Sequence, residues 1–327
     1  MRRREFIRLL AGLAAAGPCG VLAQPSSKVY RLGSLNTAAP LSEASPNGKI
    51  LLAALAQRGY TLGRNLSYDA RSSMGDNSKV FQLMAELKAA NVDVVAGVGY
   101  PVAVAAKALQ MPTVMAWGVG DPVATGLIDG LARPGGSITG ISDVATTLTT
   151  KRLSLLKDLS PNMRRVAMLW NKDDLGMTLR YEASAKVAQA VGVMVQPLGI
   201  REPNDFDEAF AAMTREPPDA ILMVNDALTA LNRKRIFDFA GERRLPAMYE
   251  YSFLVRDGGL MAYGPDLKEC AERAVALVDR ILQGARPADL PFEEPTQYRF
   301  ALNLKTAKAI GLTIPQLVLA LADEVIE

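Results

Sequence analysis

Segments typical of buried strands alternate with segments typical of helices along most of this 327-residue chain. The run VDVVAGV at 92–98 is continuously apolar, as expected of a parallel strand covered on both faces. Residues 101–109 follow it as a predicted helix, with Pro101 suited to the first turn. Strands are also predicted at 30–35, 65–71, 112–117, 164–170, 193–200, 219–226 and 245–251. Such alternation predicts parallel sheets covered by helices, which is an α/β fold.

The alternation occurs twice, before residue 118 and after residue 147. In each set a helix ends in glycine, at Gly59 and Gly192, and is followed by a strand, a helix and a short apolar strand. Two such sets predict two doubly wound parallel-sheet lobes, each with its ligand-facing edge at the carboxyl ends of its strands. A later helix at 270–284 and a strand at 297–304 must return to these lobes. The resulting multi-strand hinge suits closure around a ligand.

The first 23 residues have the features of an export signal rather than of a folded domain. Four arginines surround the start of an apolar stretch, Leu9 to Leu22, which is too short to span a bilayer comfortably. Ala23 suits signal-peptidase cleavage, and the segment Arg3 to Ile7 fits the twin-arginine pattern. A periplasmic protein with a signal peptide at 1–23 is therefore predicted. A retained membrane anchor is the alternative.

Without the predicted leader, the chain has a different net charge and a different number of cysteines. Its four arginines and one glutamate account for the whole net charge of +3, so the remaining chain is neutral. A neutral chain without a basic run gives no support for nucleic-acid binding. Cys270 is then the only cysteine left, so no internal disulfide can form.

Residue content also argues against most catalytic chemistry. The chain has no histidine, which removes the usual general base of serine and cysteine hydrolases and the commonest zinc ligand. The glycine-rich stretches at 97–102 and 117–122 lack the lysine or the third glycine that phosphate and dinucleotide sites need. We therefore predict no catalytic residue, no cofactor and no metal. A secreted α/β enzyme that uses Asp121 or Asp226 is the alternative.

Polar and aromatic residues follow the predicted strands at the same topological position in both lobes, which predicts a ligand cleft between the two strand-end edges. For each residue taken singly, a solvated loop position is the alternative. The candidate ligand-binding residues are Asn36, Thr37, Gly99, Tyr100, Trp117, Asp121, Asn171, Asp226, Tyr249 and Glu250, with Asn225 and Tyr251 beside them.

The chemistry of these candidates suits an amino acid-like ligand with an aromatic or branched side chain. Backbone N–H groups at the start of the helix at 101–109 can hold a carboxylate. Asp226 or Glu250 can pair with an ammonium group. The rings expected to cover an apolar side chain are those of Tyr100, Tyr249 and Tyr251.

Four blocks of the sequence resemble bacterial ABC-transporter substrate-binding proteins of the tryptophan/tyrosine type. They are DPVATGLIDGLARPGGSITG at 121–140, GGLMAYGPD at 258–266, the long segment at 278–315, and ADEVIE at 322–327. The resemblance implies a type I periplasmic binding fold without enzymatic activity, and delivery of a small ligand to a membrane permease with a cytoplasmic ATPase. Tyr100 stands where such proteins commonly carry a small hydroxyl residue, which narrows the expected pocket.

The same resemblance implies how the chain divides. Lobe I is expected to comprise residues 28–144 and 252–290, and lobe II residues 145–251 and 291–327. The hinge segments are expected near 143–147, 251–254 and 295–297. A monomer is expected, and a periplasmic ligand sensor on the same fold is the functional alternative.

Overall fold

The computed structural model describes residues 28–142 and 145–327. The predicted signal peptide at 1–23 and residues 143–144 of the first predicted hinge segment lie outside the described residues. Over the part of the chain that is described, no helix combines the length and the apolar character that a membrane crossing requires.

The first lobe is built on a sheet of five parallel strands, as the apolar runs predict. The strands are β1 (Tyr30–Asn36), β2 (Leu66–Ser72), β3 (Val94–Val98), β4 (Thr113–Trp117) and β5 (Ile138–Gly140). The first three connecting helices are α1 (Pro46–Gln57), α2 (Val80–Ala89) and α3 (Tyr100–Leu109). The sheet order is β2-β1-β3-β4-β5, and every neighbouring pair is parallel.

Helices cover both faces of this sheet because successive strand residues point to opposite sides. In β3, Val94 and Ala96 pack into one core cluster, whereas Val95 packs into another on the opposite face. Val114 and Met115 of β4 divide in the same way. Burial on both faces explains why these strands are continuously apolar in sequence.

The second lobe contains a larger, mixed sheet. Its strands are β6 (Arg165–Asn171), β7 (Met194–Ile200), β8 (Ala220–Met223), β9 (Ala247–Tyr249), β10 (Met261–Pro265), β11 (Tyr298–Asn303) and β12 (Glu324–Ile326). Its helices are α4 (Ala145–Leu159), α5 (Leu175–Ala190), α6 (Asp205–Arg215), α7 (Ala227–Leu231), α8 (Arg233–Glu242), α9 (Ser252–Arg256), α11 (Leu304–Ala309) and α12 (Gln316–Ala320). The order is β12-β11-β10-β9-β8-β6-β7, and β10 and β11 are antiparallel.

The helix between β10 and β11, α10 (Leu267–Leu282), returns to the first lobe. Asp266 caps its start by accepting a hydrogen bond from the Lys268 backbone N–H at 2.8 Å. Its apolar face, which includes Ala274 and Val278, packs with residues of β1, β3 and β4 in one core cluster. The amphipathic pattern seen in the sequence is therefore used to cover the lobe I sheet.

The expected lobe boundaries need two corrections. Residues 252–265 belong to the second lobe, because β10 is hydrogen-bonded between β9 and β11, with Met261 opposite both Met248 and Leu302. The second crossing between lobes therefore lies at Asp266, not near 251–254. Residues 291–297, expected in lobe II, stay with the first lobe, because Phe292 packs in its core and Glu293 bridges to Ile141. The third crossing therefore leads directly into β11, which begins at Tyr298.

One carboxylate of α10 holds the third crossing in place. Glu269 accepts hydrogen bonds from the backbone N–H groups of Thr296 and Gln297, and from the Thr296 hydroxyl at 2.6 Å. Arg273 bridges Glu269 and Glu293, at 3.1 and 2.6 Å respectively. These bonds hold the pKa of Glu269 below its ordinary value, in spite of the opposing effect of burial. The segment of the third crossing is thus bonded to lobe I before the chain enters β11 of lobe II.

Candidate functional site

A cleft lies between the lobes, where the carboxyl ends of strands from both sheets face each other. The space between them is partly open to solvent and is lined by residues of both lobes. We refer to this space as the interlobe cleft. Its lining from lobe I consists of Asn36, Thr37, Ala38, Asn47, Asn77, Val98, Gly99, Tyr100, Pro101, Trp117 and Gly118. Its lining from lobe II consists of Asp174, Met177, Asn225, Asp226, Ala227, Ala230, Tyr251 and Phe253.

The lobe I wall is formed by the loop after β1 and the start of α3. Gly99 links β3 to α3 with φ +96°, and a Cβ there would lie 2.5 Å from the Thr37 hydroxyl oxygen. Only glycine therefore lets the two loops approach so closely. In the first turn of α3, Pro101 has no N–H and the Val102 N–H donates to the Gly99 carbonyl at 3.1 Å. The Tyr100 N–H and the positive end of the helix dipole therefore make this wall suited to an anion.

Asn36 shapes this wall rather than offering its amide to the cleft. Its Oδ1 accepts a hydrogen bond from the Ala38 backbone N–H at 3.0 Å, and its Nδ2 donates to the Ala39 carbonyl at 2.6 Å. These two bonds fix the turn that follows β1.

The lobe II wall presents two carboxylates, each at the start of a helix. Asp174 caps α5 and accepts from the Met177 N–H at 3.1 Å. Asp226 caps α7, accepts from the Thr229 N–H at 2.9 Å, and accepts from the Asn171 side-chain amide at 2.7 Å. Burial, with a further contribution from Asp226, raises the pKa of Asp174 to about 7. Burial also raises the pKa of Asp226.

A third oxygen acceptor lies beside these carboxylates. The Oδ1 atom of Asn225 is buried and has no hydrogen-bond partner among the described residues, and Asn225 lines the same cleft. A buried acceptor without a donor is unfavourable, so a donor group on a ligand would be stabilised here. No lysine or arginine is among the described residues that line the cleft. The lobe II wall is therefore suited to a cation that carries several N–H donors.

Aromatic rings complete the cleft. Tyr100 and Trp117 line it from lobe I, and Tyr251 and Phe253 line it from lobe II. The rings of Tyr251 and Phe253 stack with centroids 6.1 Å apart. Flat apolar faces of this kind suit an aromatic or bulky aliphatic group.

Most of the candidates predicted from strand ends lie at this cleft. Those that line it are Asn36, Thr37, Gly99, Tyr100, Trp117 and Asp226, together with Asn225 and Tyr251. Asn171 does not line it but orients the Asp226 carboxylate from behind. Whether each of them contacts a ligand stays a prediction.

Three candidates lie elsewhere and are corrected. Asp121 is exposed and shapes a turn by accepting from the N–H groups of Val123 and Ala124. Tyr249 is buried in the lobe II core, edge-on to the ring of Phe237. Glu250 is also buried, and its carboxylate is already paired with two guanidinium groups, of Arg152 at 3.1 Å and Arg180 at 2.7 Å. It is therefore not available as a partner for a ligand ammonium.

Several residues that line the cleft were not predicted from positions at the ends of strands. Asp174 was missed because its place at the cleft depends on where the helix after β6 begins, which is Leu175. With the true start, Asp174 occupies the N-cap position that aspartate favours, a signal that was available in the sequence. Four further lining residues that were not predicted lie on helices or helical turns: Asn47, Asn77, Met177 and Phe253.

The lobes touch each other on two sides of the cleft. A Cβ on Gly176 would lie 3.2 Å from three atoms of Tyr100, and a Cβ on Gly75 would lie 2.9 Å from Leu231. Glycine at these points allows the lobes to close to this distance.

Gly176→Val is therefore expected to weaken ligand binding about ten- to hundredfold, because overpacked contacts cost about 1–3 kcal/mol. Titration calorimetry with an amino acid that the wild type binds would measure the affinity. Thermal unfolding without ligand would show whether the two lobes remain folded. Gly241→Val is the matched control, since a Cβ at this second helical glycine meets nothing within 4 Å. Equal affinities of the two variants would contradict this role for Gly176.

Two α/β lobes that face each other across a cleft, with three crossings between them, have the type I periplasmic binding fold. The family model described as ABC transporter substrate binding protein matches residues 45–326. The chain therefore belongs to the ABC transporter substrate-binding protein family, as its sequence blocks predicted.

Three known proteins illustrate the similarity. A tyrosine-binding protein of Clostridioides difficile (strain R20291) is 23% identical over 266 residues, which are 81% of this chain and 76% of the relative. The crystal structure of a Streptococcus pneumoniae ABC domain in complex with L-Trp has a TM-score of 0.83 at 26% identity, covering 91% of this chain and 100% of that one. A conserved domain protein of Vibrio cholerae O1 biovar El Tor has a TM-score of 0.84 at 24% identity, with the same coverage.

Proposed function

We propose that this protein is the exported solute-binding component of an ABC importer, and that it binds an amino acid-like ligand in the interlobe cleft. The observation that carries the proposal is that two carboxylates of lobe II, the buried Asp174 and the half-buried Asp226, line the cleft opposite the start of α3 in lobe I. One wall suits a cation and the other an anion, which matches the two charged groups of a free amino acid.

In this arrangement the ligand ammonium donates to Asp226, Asp174 and the Asn225 amide oxygen. The ligand carboxylate accepts from the Tyr100 N–H at the start of α3 and from the Thr37 hydroxyl. The ligand side chain lies against the aromatic rings of the cleft. The names of two similar proteins, a tyrosine-binding protein and an L-Trp complex, favour an aromatic side chain.

The mechanism is closure of the two lobes on the ligand. The closed form is then recognised by a membrane permease, which is coupled to a cytoplasmic ATPase. The protein acts in the periplasm as a monomer and has no enzymatic activity. The predicted leader at 1–23 supports export, and membership of the family supports the transport role.

Calorimetry with L-phenylalanine, L-tyrosine and L-tryptophan tests the proposed ligand class. For the tightest binder, the analogue without the ammonium and the analogue without the carboxylate serve as matched ligands; for phenylalanine these are 3-phenylpropanoate and phenethylamine. Each is expected to bind about a hundredfold more weakly or worse, because a hydrogen bond to a charged group contributes about 1.5–3 kcal/mol. The proposal fails if no amino acid binds, or if the analogue without the ammonium binds as tightly as its parent.

A further inference from the structure

Asp174 and Asp226 belong to different segments of lobe II but share one wall of the interlobe cleft. Asp174 lies after β6 and Asp226 after β8, and these two strands are neighbours in the sheet. Asn171 connects the two loops: its side-chain amide donates to Asp226 at 2.7 Å, and its backbone carbonyl accepts from the Asp174 N–H at 3.3 Å. Both carboxylates are thus held in place before any ligand arrives.

The groups around Asp174 come from three elements. On its own helix are the N–H groups of Gly176 and Met177 and the guanidinium of Arg180, which favour its charged form. Asp226 faces it from the loop after β8, and Tyr100 faces it from lobe I. The guanidinium of Arg180 is in turn bound to Glu250 at 2.7 Å.

The groups around Asp226 are hydrogen-bond donors without charge. They are the Asn171 amide, the Thr229 N–H and hydroxyl, and the Leu228 N–H. Among the described residues, Asp226 therefore has no cationic side chain as a hydrogen-bond partner. The two carboxylates repel each other and Asp174 is almost fully buried, so one of them favours the protonated form when no ligand cation is present.

We propose that Asp174 and Asp226 together hold one proton in the empty cleft, and that the ammonium group of the ligand takes its place. The inference rests on the proposed function above, and it makes Asp174 a determinant of specificity. On binding, the carboxyl proton is released to solvent, while the ammonium keeps its three protons and donates them to the acceptors of the cleft. A ligand without a cationic nitrogen cannot displace the proton in this way.

The direction of the pH effect follows from this exchange. Burial and the neighbouring carboxylate raise the pKa of Asp174 to about 7 in the empty protein. Below that pH the proton must be removed before an ammonium can bind, so affinity falls by about tenfold per pH unit. Above that pH the carboxylates are already charged, so the affinity for the ligand does not change with pH as long as the ligand amine stays protonated. Binding is therefore weakened in acidic surroundings.

Calorimetry of the full mature protein at pH 6, in two buffers that differ in ionisation enthalpy, tests this inference. The probe is the tightest binder among L-phenylalanine, L-tyrosine and L-tryptophan. The slope of the observed enthalpy against the buffer ionisation enthalpy gives the number of protons released. We expect close to one proton at pH 6 and almost none at pH 8.5.

Asp174→Asn keeps an oxygen that can cap α5 but removes one carboxylate. Its proton release at pH 6 is expected to be strongly reduced, and its affinity should vary much less with pH. Asp173→Asn is the matched control, because this neighbouring carboxylate is 58% exposed and pairs with Arg201 outside the cleft. It should release a proton as the wild type does. Asp226→Asn, which also keeps its cap, provides a second variant with the same expected loss.

Two results would overturn the inference while leaving the proposed function intact. One is tight amino-acid binding at pH 8.5 that continues to pH 6 without proton release. The other is full proton release by both Asp174→Asn and Asp226→Asn. Failure of all three amino acids to bind at either pH would instead remove the proposed function, on which the inference rests.

Discussion

Replacing Glu250 with glutamine is expected to lower the free energy of unfolding by about 3–5 kcal/mol. The Glu250 carboxylate is 2% exposed and bonds to Arg152 and Arg180, both of which are also buried. It further accepts from the Asn225 backbone N–H at 3.3 Å. When glutamine replaces Glu250, the guanidinium groups of Arg152 and Arg180 stay buried but lose the carboxylate that they share. Chemical denaturation followed by tryptophan fluorescence would measure the change.

A matched surface variant separates this effect from the loss of a carboxylate in general. Glu216 pairs with Arg165 at 3.2 Å, but its side chain is 71% exposed. Glu216→Gln is expected to change the unfolding free energy by no more than about 1 kcal/mol, as for other exposed ion pairs. If Glu250→Gln were as mild as Glu216→Gln, the structural role given to Glu250 would be wrong.

The stability of the ligand-free protein is expected to fall by roughly 2–3 kcal/mol between pH 5 and pH 7.5 through Asp174 alone. The pKa of Asp174 is about 7 in the folded protein, whereas an unfolded aspartate titrates near 4. Between these values the folded state binds more protons than the unfolded state. Stability from this group is therefore complete at low pH and is lost as the pH rises towards 7.

The test compares wild type and Asp174→Asn by denaturant unfolding across this pH range. The asparagine side chain does not titrate, so the free energy of unfolding of the variant should rise relative to that of the wild type by the expected amount between pH 5 and pH 7.5. Because ligand affinity is expected to rise over the same interval, the ligand-free stability and the affinity should have opposite slopes. A constant difference in stability between the two proteins would contradict the account of Asp174.

The fold was largely predictable because buried parallel strands leave a plain signal. Val94 to Val98 is apolar at every position other than one glycine, since both faces of β3 are covered. The strand β10 gave a weaker signal, as it is short, contains Gly264 and ends in Pro265. Its place in lobe II depends on pairing with β9 and β11, and such long-range pairing has no local signature. For that reason the second crossing was placed too early.

The candidate site was predictable to the extent that topology determines it. Parallel strands bring their carboxyl ends to one edge, so residues such as Thr37, Tyr100 and Asp226 could be located from strand positions alone. The same rule cannot tell a side chain that faces the cleft from one that faces the core. Tyr249 and Glu250 were misassigned for this reason, because the neighbours that bury them, Phe237, Arg152 and Arg180, are distant in sequence.

A crystal structure of the protein with its tightest-binding aromatic amino acid tests the central claim most directly. The account predicts that the ligand lies in the interlobe cleft with its ammonium nitrogen within hydrogen-bond distance of Asp174 and Asp226. It predicts that the ligand carboxylate meets the first turn of α3. A ligand in the reversed orientation, or bound outside the cleft, would contradict the account.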